Sequence, residues 1–346
     1  MAHERRIAVL QSFRSPRPTS NPYLTLLLRA LPPDVDVRTF SWSRALLGRY
    51  DVLHLHWPEL LLRSDRPSRR ALRAAATAAL VLRLRLARTA VVRTVHNPSP
   101  HEAGTPLEGA LLAALDAGTT LTVHLSDRTL PAVRPGPSVV VPHGHYRDWY
   151  PPAAGVRTVP GRLLHLGLLR PYKNVDDLLA AFRATTGALQ LRVVGAPGDA
   201  ALADRVRQAA REDPRVTVEL RHLDDAELAR EVAACELVVL PYAARGGSGA
   251  QLLALSLDRP VLVPDDEGAA RLAREVGPGW VHTFSGRLGG DDLLRALAAV
   301  RTRGRSARPD LSRRDWADAG RQHRDAYRHA RALRRRGAVH APADAA

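Results

Sequence analysis

Three loops in the first half of the chain carry side chains able to move protons. His54-Leu55-His56-Trp57-Pro58-Glu59, His96-Asn97-Pro98-Ser99-Pro100-His101-Glu102 and Pro142-His143-Gly144-His145-Tyr146 each follow a short apolar run. Imidazoles and carboxylates gathered at one sheet edge suit hydroxyl recognition and proton transfer in a cleft. His54 and His56 share one strand face, so one of them can instead be a satisfied core histidine. Zinc is the less favoured use of so many histidines, because their spacing matches no standard ligand pattern.

The second half carries two anion-binding signals. Gly167-Leu168-Leu169-Arg170-Pro171-Tyr172-Lys173-Asn174 lies between a strand and a helix. Such a turn offers backbone N–H groups and a helix N-terminus to a phosphate, with Arg170 and Lys173 adding charge. Lys173 is the only lysine in a chain rich in arginine, so a compact ammonium is wanted there. Ala244-Arg245-Gly246-Gly247-Ser248-Gly249-Ala250-Gln251 repeats the strand–loop–helix context. Its glycines permit close backbone approach, and Ser248 can donate a hydroxyl hydrogen bond. Alone it reads equally as a structural turn; paired with the first loop it suggests a diphosphate. No Gly-Lys-Ser/Thr follows, so it is not a P-loop.

The elements that must position these loops alternate. Strands are predicted at Arg6–Leu10, Val35–Phe40, Asp51–Leu55, Ala90–Val95, Thr120–His124 and Ser138–Val141, and helices at Pro22–Leu31, Ser68–Leu86 and Glu108–Ala117. After a Pro/Gly-rich stretch, Tyr150–Gly161, the pattern restarts. Strands are predicted at Arg162–Leu166, Gln190–Val194, Val216–Leu220, Glu236–Pro241 and Pro260–Val263, the last clear one. Helices fall at Val175–Ala184, Ala200–Arg211, Asp224–Ala234 and Ala250–Leu257, the third with an Asp224/Glu227 capping box. The rhythm implies α/β architecture with two doubly wound, Rossmann-like domains, 1–152 and 153–312, binding ligands beyond their strand ends. Residues 313–336 form a basic helix docked on the domains, and 337–346 a disordered tail.

Composition narrows the classes. The 346 residues are 45% hydrophobic and 25% charged, which excludes wholesale disorder. The lone Cys235 excludes an internal disulfide. The first residues enter a strand without a leader pattern, so a cytoplasmic location is expected. Part of the net charge of +16 reflects arginine standing where other sequences use lysine. A basic surface attracts anions, including acidic lipid headgroups, while no nucleic-acid recognition motif is present. The apolar stretch Ala74–Val92 carries Arg83, Arg85 and Arg88, costly for a membrane span, so peripheral attachment is the membrane option left open.

These residues resemble a known family. Leu164-His165-Leu166-Gly167 through Asn174, Leu178-Leu179-Ala180-Ala181-Phe182, Leu191-Arg192-Val193-Val194-Gly195 and Leu237–Tyr242 are similar to the donor half of GT-B-fold glycosyltransferases. That fold implies two Rossmann-like domains facing a central cleft, the second holding a nucleotide-sugar and the first an acceptor. Many retaining members carry two glutamates eight residues apart in the second loop and its helix; the matching positions here are Gly246 and Ala254. The arginine usual after the first glycine is Leu168, with Arg170 in its stead. Asn21-Pro22-Tyr23, the three histidine loops and Thr94-Val95-His96-Asn97 look like a bacterial subgroup of GDP-mannose-dependent β-mannosyltransferases of glycolipid or exopolysaccharide assembly.

The resemblance implies sugar transfer, with inversion and without metal or cofactor, from a nucleoside-diphosphate sugar to a saccharide or lipid-linked hydroxyl. Gly167, Arg170, Lys173, Arg245, Gly247, Ser248, Gly249 and Gln251 would hold the donor, with His222 bordering the nucleobase. Glu102 is the first choice of base, its alternative being a helix N-terminal carboxylate; His96 and His101 are the other candidates. Trp57, Glu59, Asn97, His143, His145 and Tyr146 would line the acceptor side. The rival readings are a retaining or UDP-sugar-dependent enzyme, and a silent nucleotide-sugar-binding protein.

Overall fold

Among the described residues, twelve strands form two parallel sheets of six in this computed structural model. It describes residues 6–17, 20–96, 104–126, 136–242, 249–302 and 304–336. In chain order the first part runs β1 (Ile7–Gln11), α1 (Pro22–Ala30), β2 (Val35–Arg38), α2 (Trp42–Leu47), β3 (Val52–Leu55), α3 (Glu59–Leu62), α4 (Pro67–Leu86), β4 (Ala90–Val95), α5 (Pro106–Ala117), β5 (Leu121–His124) and β6 (Ser138–Val140). The second runs β7 (Arg162–Leu166), α6 (Val175–Arg183), β8 (Gln190–Val194), α7 (Ala200–Glu212), β9 (Val216–Glu219), α8 (Asp225–Ala234), β10 (Leu237–Val239), α9 (Gly249–Ser256), β11 (Val261–Pro264), α10 (Glu267–Val276), β12 (Val281–Phe284) and α11 (Gly290–Thr302). A last helix, α12 (Trp316–Arg335), follows.

The first sheet has strand order β2-β1-β3-β4-β5-β6. Its faces differ, because successive side chains on a strand point to opposite sides. Leu10, Leu53, Leu55 and Val91 pack against α2 to α5 through Ala45, Leu61, Leu80 and Leu115. The opposite face is covered by α12, which packs on β1, β3, β4, β5 and α1. Gly320 makes that contact possible: a Cβ there would meet the Ala30 carbonyl oxygen at 1.9 Å. Asp315 caps α12 by accepting from the backbone N–H groups of Ala317 and Asp318.

The second sheet has order β12-β11-β10-β7-β8-β9. Its direction of winding reverses between β7 and β10, the position where open α/β sheets bind ligands. The core joins Leu163, Leu191, Val193, Leu237 and Val239 to Leu178 and Phe182 of α6 and Leu293 and Leu297 of α11. The capping box of α8 forms as expected, Asp224 and Glu227 each bonding the other's backbone N–H.

The sequence reading needs additions. α2 and α3 were not expected, and β11 is not the last strand: α10, β12 and α11 follow it. The described residues up to Gly144, with those from Arg314 on, form one unit; His145–Arg313 form the other. The division falls earlier than residue 152 because the chain is tied to the second unit from its first residues. Tyr146 N–H donates to Ser256 Oγ at 2.8 Å, and Arg147 reaches the Pro309 carbonyl at 2.8 Å and Asp258 at 3.5 Å.

Candidate active site

The strand ends of the first sheet hold a buried polar chain. Gln11 ends β1 and pairs in register with His54 of β3. Gln11 Nε2 donates to the Tyr327 hydroxyl of α12 at 3.3 Å, which leaves Gln11 Oε1 to accept from His56 Nε2–H at 3.1 Å. With its proton on Nε2, neutral His56 must accept at Nδ1, and His96 Nε2–H donates to it at 3.0 Å. In the other direction the Tyr327 hydroxyl proton goes to His54 Nδ1 at 2.8 Å, and His54 Nε2–H goes to Thr94 Oγ1 at 2.8 Å. Every donor along the path from His96 to Thr94 therefore points the same way. His96 keeps its lone pair on Nδ1.

Burial holds these rings neutral. His54, His56 and His96 all have their pKa lowered well below the usual histidine value, first by desolvation and then by one another's charge. His143 and His323 are pushed down to about 4, again by burial first. The Gly144 and Ala319 carbonyls, accepting from their Nδ1 atoms at 2.8 Å, oppose the shift. Tyr23 of α1 sits among the rings, edge-on to His56, His96, His143 and Trp316 with centroids 5.0 to 5.9 Å away. Trp57 stacks on His96 at 4.0 Å and 20°. Gly144 is required beneath the Trp316 indole, where a Cβ would stand 2.3 Å from the ring.

In the second unit the loop after β7 lies at the sheet's switch point. Gly167 has φ +100°, and Gly195 at the end of β8 has φ +139° with its would-be Cβ 2.1 Å from the Gly167 carbonyl oxygen. Only glycine fits either place. Leu169 N–H donates to the Ala196 carbonyl and Gly198 N–H to the Leu169 carbonyl, so this loop is stitched to the next. Asn174, left-handed at φ 52°, donates through Nδ2 to the Pro241 carbonyl after β10 at 3.0 Å. Lys173 is thus drawn inward, its Nζ 5.1 Å from the Tyr242 ring centre and against Gly167. Burial, then the charge of Arg170, lowers its pKa to about 8. His165, below it on β7, is buried; its Nδ1–H goes to the Val239 carbonyl at 2.9 Å and its pKa falls to about 4.

Sequence reasoning placed His96, Trp57 and His143 at one sheet edge; the structure sets His96 and His143 around Tyr23, with Trp57 stacked on His96. His54, with both nitrogens bonded, is a core histidine. Glu59 opens α3; burial lowers the pKa of Arg93, and the Glu59 charge opposes that shift. His145 accepts from Arg147 N–H at 3.3 Å, and Tyr146 is buried with its hydroxyl facing Gly249; both belong to the second unit. Gln251 is buried in α9, and so is Ala254. His222 is exposed after β9, the edge strand two places from β7. Asn97, His101, Glu102, Arg245, Gly247 and Ser248 lie outside the described residues. Sequence reasoning missed Gln11, Tyr327 and His323; the signal for the last two was polar residues spaced i, i+4 on the inner stripe of α12. Among the described residues no group of three or more His, Cys, Asp or Glu is arranged to hold a metal ion.

Residues 160–305 match the family model described as "Glycosyl transferases group 1". Over 323 residues the chain is 46% identical to a GDP-mannose:glycolipid 4-β-D-mannosyltransferase of Xanthomonas campestris pv. campestris, covering 93% of this chain and 92% of that protein. Among solved structures, a sucrose-phosphate synthase from Thermosynechococcus elongatus superposes with TM-score 0.66 at 15% identity, over 95% of this chain and 100% of that one. Anabaena HepE in complex with UDP gives 0.58 at 14%, over 96% and 98%. At such identities the structural likeness is one of fold, and that fold is GT-B.

Proposed function

Because the chain belongs to the glycosyltransferase family that includes the Xanthomonas GDP-mannose:glycolipid mannosyltransferases, we propose that it transfers mannose from GDP-mannose to a glycolipid hydroxyl with inversion. The observation that carries the donor half is Lys173, drawn inward beside Gly167 at the switch point of the second sheet. Lys173 and Arg170 would offset the charge that develops on the leaving diphosphate, together with the Gly247–Gly249 amides. The protein then needs no metal or cofactor for that task. Gln251 and His222 are assigned to the donor side as well.

The acceptor half is assigned to the first unit. The acceptor oxygen attacks the anomeric carbon, its proton passes to a base, and the bond to the diphosphate breaks. Glu102 is the proposed base. His96 is neutral and presents a lone pair on Nδ1, so it can bind the same hydroxyl or take the proton itself; His101 is the further alternative. Trp57 gives a flat apolar wall for a sugar ring, and Glu59, Asn97 and His143 are assigned to sugar binding there; His145 and Tyr146 belong to the second unit and are assigned to sugar binding on it. The absence of a glutamate at Gly246 and Ala254 supports inversion over retention.

A glycolipid acceptor puts the work at a membrane, and we set it at the inner, cytoplasmic face, held there by contact with anionic lipid. No helix among the described residues is long and apolar enough to cross one. The reading is tested by thermal shift against GDP, UDP and ADP, followed by turnover of GDP-mannose with a mannosyl-accepting glycolipid and NMR of the product. Stabilisation by GDP and a β-linked product is expected. Stabilisation by UDP alone discards mannose, and an α-linked product discards inversion.

A further inference from the structure

α4 is apolar on two opposite sides. Thr77, Leu80 and Leu84 turn one side into the core. On the other, Leu72, Leu82 and Leu86 are 70%, 57% and 75% exposed, and the positions between them on that stripe are alanines such as Ala75 and Ala79. An amphipathic surface helix puts charge on its outer face; this one does not.

The apolar surface continues onto the neighbours of α4. α2 packs on it and ends in Leu47, 85% exposed. α5 also packs on it and turns Leu107, Ala110 and Ala113 to solvent. The two carboxylates of α5 are both taken up below the surface, Glu108 by Arg63 at 2.8 Å and Asp116 by Arg93.

The charge along this helix is of one sign, with the exposed Asp65 just before it. From Arg66 to His101 the sequence has eight arginines and no Asp or Glu. Arg69, Arg70, Arg85 and Arg88 are exposed near the two ends of α4, flanking the leucine stripe. A protein partner would have to cover both a greasy stripe and uncompensated guanidinium groups; an anionic lipid surface meets both at once. Arginines at the helix ends can reach headgroups while the leucines enter the acyl boundary.

We propose that the outer face of α4, with Leu47 and Leu107 beside it, is the surface by which the protein lies on an anionic bilayer. It rests on the reading above in that a glycolipid acceptor is what requires the protein to be there. It names the part of the chain that makes the contact.

The test is flotation of the full chain with phosphatidylcholine vesicles and with vesicles containing about a quarter phosphatidylglycerol. The protein should float with the anionic vesicles only, and less as ionic strength rises. Leu72→Glu, Leu82→Glu and Leu86→Glu together should reduce the bound fraction roughly tenfold or more, as should Arg69→Ala, Arg70→Ala and Arg85→Ala. Both variants should keep the parent's melting temperature and its response to GDP, since the substituted side chains face solvent. A parent that does not float, or a leucine variant that floats like the parent, overturns the proposal. So does a concentration-dependent dimer that the leucine variant breaks without any vesicle binding, which would assign the face to a second copy. Failure of the mannosyltransferase reading shows separately, as absence of GDP-mannose turnover.

Discussion

His96 Nε2 donates to His56 Nδ1 across 3.0 Å, and that bond decides which nitrogen of His96 keeps a lone pair. The decision is made deeper in the molecule. Gln11 shows its oxygen to His56 because its amide nitrogen is held by the Tyr327 hydroxyl. A residue near the C-terminus thus sets the tautomer of one in the first sheet. Tyr327→Phe should free the Gln11 amide to turn and scramble the tautomer of His96. We expect kcat to fall about tenfold with the donor KM unchanged, and the 15N shifts of His96 to report both tautomers. His96→Ala should cost roughly a hundredfold or more in kcat if His96 acts on the acceptor hydroxyl. An unchanged kcat in both variants would remove His96 from the reaction.

The same burial makes the fold acid-sensitive. His54, His56, His96, His143 and His323 bind protons less readily folded than unfolded, with His143 and His323 titrating at about 4. Below the unfolded value near 6.5 the unfolded chain therefore binds more protons, and stability is lost as pH falls from there. Each such histidine can contribute up to about 1.4 kcal/mol per pH unit in that window. Urea melts at falling pH should show midpoints dropping between about 6.5 and 4. Flat midpoints would mean the cluster is solvated.

Lys173 acts in the same direction in a higher window. Its folded pKa of about 8 lies below the ordinary lysine value, so stability rises as pH climbs from about 8 toward the unfolded value. Donor binding runs the other way, because a diphosphate favours the charged ammonium. At pH near 8, GDP binding should take up protons, which calorimetry in buffers of differing ionisation enthalpy would detect. Lys173→Met should weaken GDP roughly a hundredfold and abolish the uptake. Lys173→Arg should not restore affinity, since a planar guanidinium does not replace a compact ammonium at the same point. Proton-neutral binding by the parent would detach Lys173 from the phosphates.

Local signals account for what was legible. Alternating apolar runs and turn residues placed β3, β4, β7 and β8 within a residue of where they lie, and the two glycine-bearing loops stood out after their strands. The relay was not legible, because it joins Gln11 to Tyr327 across more than 300 residues. No local pattern reports which helix will cover a sheet face. β12, Val281–Phe284, was missed because four residues containing His282 and Thr283 carry little alternation. The apolar outer face of α4 was hidden for a different reason: a helix apolar on two sides reads in sequence as one that is simply hydrophobic.

Ala254 joins the catalytic question to packing. It matches the second glutamate of retaining relatives, yet it is fully buried in α9. A carboxylate introduced there enters the core and must leave it or break it. Ala254→Glu should therefore destabilise the protein by about 3–5 kcal/mol, as an unpaired buried charge does. A denaturant melt measures that cost, and NMR of the residual product should find the anomer unchanged. If the variant instead melted like the parent and formed the opposite anomer, a retaining site would be latent in this fold, and the missing glutamates would be its only defect.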